Sequence, residues 1–266
     1  MWRLQFRLQT SVLCVTSSLG SMEMYHLRSG TGYWDPETFP PFWTEPCATR
    51  LWKKLHVRIH SKEYRPICQR LDDICHNLQL DLEVKDLYRI ENVRCQYMYE
   101  RLKETVTYDN CGEDPQITGL FHGCPPEVTK CIIAGGLNRI YCHPTGRLGC
   151  ATYVTNCLKV ALEHSTEDPA GHRYVFICDA IIGHYCQGLE GHRVPPIRRL
   201  STLQRYDITV DDLQNPTKFA VFQDNSILIR HLPTLVGNDK PSTPVGQCLI
   251  TNNYESTGCG RCEVGG

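Results

Sequence analysis

No run of about 18 apolar residues occurs in this 266-residue chain, so the sequence predicts no membrane-spanning helix. Charge of one sign is not in excess either. A formal net charge of −1 gives no electrostatic reason to bind nucleic acid directly or to adhere to a membrane. A second Cys-x-x-Cys is missing. Cys259-Gly-Arg-Cys262 stands alone in a Gly-rich tail, and zinc would need two further ligands close by, so no metal is expected. Internal repeats are absent. No acid precedes Glu23, whereas Arg3 and Arg7 do. Residues 1–22 therefore read as a targeting peptide, with Met22 or Met24 as equally good alternative starts.

What is present suits a globular core. With 41% hydrophobic and 21% charged residues, the chain can form one large domain with flanks. The sixteen cysteines are scattered, whereas a secreted disulfide scaffold is usually shorter and regularly spaced. They are expected to be reduced, inert thiols of an intracellular protein, nuclear or cytoplasmic. A secreted Cys-rich binding protein is the alternative if the leader acts in secretion. His56-x-x-x-His60 would put two imidazoles one helical turn apart, but the stretch is β-branched and the spacing reads as incidental.

Residues 1–54 form an irregular lead-in rich in Gly, Pro and Trp, 55–237 the folded domain, and 238–266 a Gly, Pro, Ser and Asn-rich tail expected to be disordered. Within the domain, Pro66 opens a helix with Ile67, Leu71, Ile74 and Leu78 on one face. Asp86 to Glu91 alternates as a strand, and Asn92 caps a helix over Val93 to Leu102. Residues 107–116 read as a polar loop. A short helix runs from Pro125 to Ile133 and ends at Gly135-Gly136. Asn156 is expected to cap a helix bearing Leu158, Ala161 and Leu162. Arg173 to Ile182 is the strongest strand. Residues 183–205 read as a solvated basic loop carrying Arg198-Arg199. Phe219 to Phe222 and Ile227 to Ile229 are strands split by a turn at Asp224-Asn225. Helices come early and strands late, which predicts an α+β fold.

Two stretches carry candidate chemistry. Leu120-Phe121-His122-Gly123-Cys124 reads as a buried strand ending in a polar hook, whose glycine lets a ligand approach the backbone. In Gly149-Cys150-Ala151-Thr152-Tyr153-Val154-Thr155, small residues precede an aromatic and make a groove with a flat ring at its end. Together they could grip a flat heterocycle that carries an amide.

From about residue 60 to 236 the chain resembles the catalytic domain of the poly(ADP-ribose) polymerase family, the diphtheria-toxin-like ADP-ribosyltransferases. The hook is similar to that family's Leu-Phe-His-Gly-Thr, and Gly149-x-Ala151-x-Tyr153-Val154-Thr155 to its Gly-x-Gly-x-Tyr-Phe-Ala. Ile181-Ile182-Gly183-His184-Tyr185-x-x-Gly188 resembles Leu-Val-Gly-Asp-Tyr-x-x-Gly. Arg193-Val194-Pro195-Pro196 and Tyr206-Asp207-x-x-Val210-Asp211-Asp212-x-x-Asn215-Pro216 follow in family order. Ile90-Glu91-Asn92 and Tyr33-Trp34-Asp35-Pro36 most resemble the branch with zinc-finger and WWE modules, which this sequence lacks.

The resemblance implies two packed, mostly antiparallel sheets with flanking helices and a nicotinamide pocket. It implies transfer of ADP-ribose from NAD, as substrate, to a protein acceptor or to the chain itself. His122 would bond a ribose hydroxyl, the Gly123 backbone the nicotinamide amide, and Tyr153 would stack on the ring. Three positions depart from the family pattern. Lys218 stands where poly-transferases carry Glu and mono-transferases an apolar residue. Ala161 replaces a Ser that bonds the amide, and His164 replaces a second Tyr. The resemblance therefore implies mono- rather than poly-transfer with a degenerate His122-Tyr153-Lys218 triad, or an inactive relative serving as a binding or scaffold module.

Truncation after Gly237 is expected to leave the melting temperature within a few degrees, because the tail's composition buries too little apolar surface to offset ordering. A collapse in soluble yield on truncation would show that the tail packs on the domain.

Overall fold

The computed structural model describes residues 51–237 together with Pro40 and Trp43. The targeting segment, nearly all of the lead-in, and the tail with Cys259 and Cys262 lie outside the described residues. Strand β1 (Trp52–His56) is followed by α1 (Tyr64–Asn77), β2 (Leu82–Asn92), α2 (Val93–Asp109) and β3 (Gln116–Cys124). A 3-10 turn (Pro126–Val128) leads into α3 (Thr129–Gly135), and β4 (Thr152–Thr155) into the short α4 (Leu158–Leu162). The remaining strands are β5 (His172–Ile181), β6 (Tyr185–Gln187), β7 (Ile197–Arg199), β8 (Gln204–Arg205), β9 (Ile208–Val210), β10 (Lys218–Val221) and β11 (Ile227–Gly237). The α+β class expected from the element order holds.

Nine strands form one hydrogen-bonded run in the order β1-β2-β11-β5-β3-β4-β10-β9-β6, while β7 and β8 form a separate small sheet. Pairing is antiparallel except between β6 and β9. The run has a seam: β3 and β4 share a single residue pair, Phe121 with Thr155. Side chains from both sides of the seam meet in one core. Leu120, Phe176 and Cys178 on one side pack with Val154, Ile208, Val210 and Phe219 on the other. The two packed sheets of the expected fold are thus two halves of one run.

β5 lies between β11 and β3 and is buried from Val175 to Ile181, which explains its near-continuous apolar sequence. On its other face, α1 sets Leu71 and Cys75 against Phe121, Val175, Ile177 and Leu235, joined by Leu158, Ala161 and Leu162 of α4. Burying Phe121 and its neighbours in this way supplies roughly 1.5–3 kcal/mol per large side chain.

Local details differ from the sequence reading where tertiary contacts intervene. The buried stripe of α1 is Cys68, Leu71 and Cys75; Leu78 is the helix C-cap and is exposed. Asn92 does cap α2, accepting from the Cys95 N–H at 3.0 Å, but the helix continues to Asp109 into the expected loop. Asn156 does not cap α4. The residue before the helix is Cys157, and Asn156 Nδ2 instead donates to Pro216 O at 3.2 Å. The basic loop holds three short strands, β6, β7 and β8, and β9 was not foreseen. His56 ends β1 and His60 sits at φ 65°, so the two imidazoles do not share a helix face.

One part-buried ion pair ties the central strands to α2. Arg230 Nε donates to Asp179 Oδ2 at 2.6 Å and its Nη1 to Gln96 Oε1 at 2.8 Å. Asp179 Oδ1 also accepts from Gly119 N at 3.3 Å, at the bulge that sets the register of β3. Asp179→Leu alone is expected to lower unfolding stability by about 1–3 kcal/mol, because the part-buried Arg230 loses its charged partner and keeps only Gln96. Adding Arg230→Met should recover most of that loss in urea denaturation. Equal losses in the single and double variants would show that packing, not charge pairing, holds this junction.

Candidate functional site

β3, β4 and β10 are adjacent, and they carry the three residues singled out from the sequence. His122 on β3 turns its Nδ1 to the backbone carbonyl of Tyr153 on β4, 2.8 Å away. A carbonyl only accepts, so Nδ1 carries the proton and Nε2 the lone pair. Nε2 makes no hydrogen bond among the described residues. Burial pushes the imidazole below the ordinary histidine range. The bond to Tyr153 opposes that shift, and the nearby His164 adds to it. His122 is therefore neutral at pH 7, with an acceptor nitrogen left over.

Gly123 packs tightly against α4. A Cβ there would lie 1.7 Å from the Ala161 carbonyl oxygen, so no other residue fits without moving the helix. Ala161 itself is buried in the apolar cluster with Phe121, Leu158 and Leu162. His164 lies just past the end of α4, exposed, with its N–H donating to Ala161 O at 3.1 Å.

Tyr153 is half-buried against Leu148, Ala151, Ala220 and Phe222. Its hydroxyl accepts from Leu148 N at 2.9 Å and donates to Gly149 O at 2.8 Å. Burial raises its pKa, against the lowering effect of the Leu148 bond. Leu148 is also held by Thr209, whose Oγ1 donates to its carbonyl at 2.6 Å. Gly188 closes on the same residue, since a Cβ there would be 2.6 Å from the Leu148 Cα. The Gly183-to-Gly188 motif thus acts structurally, as a seat for the turn before β4.

Lys218 opens β10 opposite Thr155, with Ala220 opposite Tyr153. Side chains alternate along strands, so Lys218, Thr155 and Tyr153 share one face, while Phe219 and Val154 point into the core. The Lys218 side chain is half-buried, and its ammonium makes no hydrogen bond or ion pair among the described residues. Its backbone is fixed by a residue given no role from the sequence. Asp211 Oδ1 accepts from Thr217 N at 2.8 Å and Lys218 N at 2.9 Å, and Oδ2 from Thr217 Oγ1 at 2.5 Å. Burial pushes this carboxyl up, but these bonds outweigh it and leave it below its usual range. Thr155 adds a second tie, its Oγ1 donating to Thr217 O at 2.8 Å. The Asp-Asp-x-x-Asn-Pro turn chemistry was the signal that could have identified Asp211 as a clasp.

A cleft of ≈ 430 Å³ lies elsewhere, between the end of α2 and the β7–β8 segment, lined by Asn110, Arg139, Arg198, Arg205 and Phe222 among others. His122, Tyr153 and Lys218 do not line it. Among the described residues, no group of three or more His, Cys, Asp or Glu side chains could hold a metal ion, and no helix is long and apolar enough to cross a membrane.

The family described as poly(ADP-ribose) polymerase catalytic domain matches residues 61–194, a span containing His122, Gly123, Tyr153, Ala161 and His164 but ending before Lys218. The chain is 29% identical over 188 residues to the mouse (Mus musculus) protein mono-ADP-ribosyltransferase PARP10, covering 70% of this chain and 19% of that protein. It is 23% identical over 216 residues to mouse protein mono-ADP-ribosyltransferase PARP12, covering 80% of this chain and 28% of that protein. To the human (Homo sapiens) protein of the same name it is 20% identical over 209 residues, 78% of this chain and 29% of that protein. The chain thus spans under a third of the length of these relatives.

The His122 ring gives a direct test. Nitrogen NMR should show the Nδ1–H tautomer, with a protonation midpoint below the ordinary value of about 6.5. The folded value lies below the unfolded one, so His122 supports the fold above pH ~6.5 and withdraws that support as pH falls through its folded midpoint. A midpoint above about 6.5 would show that the ring is not desolvated at this site.

Proposed function

The chain belongs to the poly(ADP-ribose) polymerase catalytic-domain family, and on that premise we propose that it moves single ADP-ribose units from NAD to a protein acceptor, or to itself, releasing nicotinamide. The observation that carries the reading is His122, neutral, oriented by the Tyr153 carbonyl and left with a free acceptor nitrogen. In this reaction the bond between the ribosyl carbon and the nicotinamide nitrogen breaks, the ribose becomes oxocarbenium-like, and an acceptor nucleophile closes on it. A site helps by holding the reacting groups in line and by favouring the developing positive charge. His122 Nε2 would accept from a ribose hydroxyl without adding charge beside that cation. The Gly123 backbone would face the amide and the Tyr153 ring the nicotinamide, with Ala161 and His164 completing the pocket more weakly than Ser and Tyr would. A missing buried hydrogen bond costs about 1 kcal/mol.

Lys218 is the residue that limits the chemistry. Two unit charges about 4 Å apart repel by roughly 4 kcal/mol at an effective dielectric of 20. An ammonium aimed at the oxocarbenium could therefore slow the step by up to ~10³. The same residue argues against poly-transfer, which depends on a carboxylate at this position in the family. Residues 55–237 are the proposed functional unit, and the scattered thiols suit an intracellular setting in nucleus or cytoplasm.

The three departures favour one second reading, a binding or scaffold module without turnover. Labelled-NAD incorporation, with His122→Ala as the blank, separates the two. Lys218→Ile and Lys218→Glu should both raise automodification, and only Glu could support chains. Ala161→Ser should tighten binding of a non-hydrolysable NAD analogue in calorimetry, with less effect on the chemical step. A native protein that outpaces both Lys218 variants would show that Lys218 does not limit turnover. Failure of every variant to bind the analogue would leave the scaffold reading.

A further inference from the structure

Cys142 and Cys150 lie at the two ends of the turn that precedes β4, and their Sγ atoms are 3.1 Å apart. A disulfide holds its sulfurs at about 2.05 Å, so bonding needs an approach of only ~1 Å, within reach of side-chain rotation. Both thiols are free and neither is fully buried, so a small reagent can reach them. Among the described residues, no second pair of thiols is in hydrogen-bond contact.

The contact is built by the backbone around it. Cys150 N donates to His192 O at 2.7 Å, and Cys142 N to Arg139 O at 3.0 Å. Arg139 is itself fixed, its N–H bonding Asp224 Oδ1 at 3.0 Å and its Nη1 bonding Arg193 O at 2.6 Å. Between the two cysteines, the Tyr153 hydroxyl holds Leu148 and Gly149. Both sulfurs therefore face each other from anchored positions.

We propose that Cys142 and Cys150 form a reversible redox modification site, joined by thiol–disulfide exchange with a low-molecular-weight disulfide of the glutathione type. One protein thiolate attacks the small disulfide, expels one glutathione thiolate and forms a mixed disulfide. The second protein thiolate attacks the protein sulfur of that intermediate and expels the second glutathione. One S–S bond breaks and one forms, two electrons pass from protein to glutathione, and the two thiol protons end on the two glutathiones. The cross-link fixes residues 142–150 against Tyr153. The exchange is independent of the transferase reading. Burial, reinforced by Cys150, raises the Cys142 thiol to about 11, so exchange accelerates as pH rises.

The test equilibrates the full chain with glutathione mixtures of rising oxidised share, then quenches, alkylates and digests it with trypsin. Cleavage after Arg139, Arg147 and Lys159 puts Cys142 in peptide 140–147 and Cys150, with Cys157, in peptide 148–159. The expected result is a cross-linked pair of these peptides, assigned by fragmentation to Cys150. It should grow with the oxidised share, vanish on reduction, disappear in Cys142→Ser and persist in Cys157→Ser. The oxidised protein should also melt about 5 °C or more above the reduced form, because the unfolded chain is constrained. A link through Cys157, glutathione adducts without a cross-link, or no change at any oxidised share would overturn the proposal. The map of the unmutated chain decides this even if a variant folds poorly.

Discussion

A single residue pair, Phe121 with Thr155, joins the two halves of the main sheet, and both halves have to be compatible with it. Phe121 is fully buried against α1 and α4. Thr155 uses its hydroxyl in both directions, donating to Thr217 O and accepting from Cys157 N. Strand pairing therefore stops where α4 begins, and β10 is tied in at the same residue. His122 follows Phe121 directly, and its ring bonds to the Tyr153 carbonyl across the seam. The candidate site lies where two neighbouring strands share little backbone pairing.

Charge in the site is arranged around that seam. The nearest clasp carboxylate, Asp211, accepts from the N–H groups of Thr217 and Lys218 and from the Thr217 hydroxyl, so it shapes the start of β10. His122 is neutral and Lys218 has no partner among the described residues. Under the proposed function, a site with this balance would hold a hydroxylated, amide-bearing ligand more readily than it would stabilise a growing cation. Binding and turnover would then be separable properties resting on different residues.

The hook on β3 was legible because it follows two buried apolar residues, and β5 because it is buried without a break from Val175 to Ile181. β4, four residues long, was not read as a strand, and β11 was read only over Ile227 to Ile229 although it runs on to Gly237. Asn92 was legible as a cap because its side chain acts locally. Asn156 misled because the same residue type was drawn away to Pro216, some sixty positions on, a contact that no local pattern encodes. Strands β6, β8 and β9 have two or three residues each, too short for any period to appear. Asp211 and Thr155 were missed as organisers because their importance lies in backbone groups they hold, and those groups look alike in every sequence.

β11 is the last strand of the described chain, yet it sits inside the sheet, paired with β2 on one side and β5 on the other. During synthesis, β1, β2 and α1 emerge early, but β2 has no inner neighbour until residues 227–237 arrive. The edge of β2 that will pair with β11 stays open over that interval, and that of β5 joins it once residues 172–181 are made. Completion of this domain is thus a closing insertion, and between the synthesis of β5 and that of β11 the nascent chain carries two unpaired edges of the kind that invite pairing with another chain.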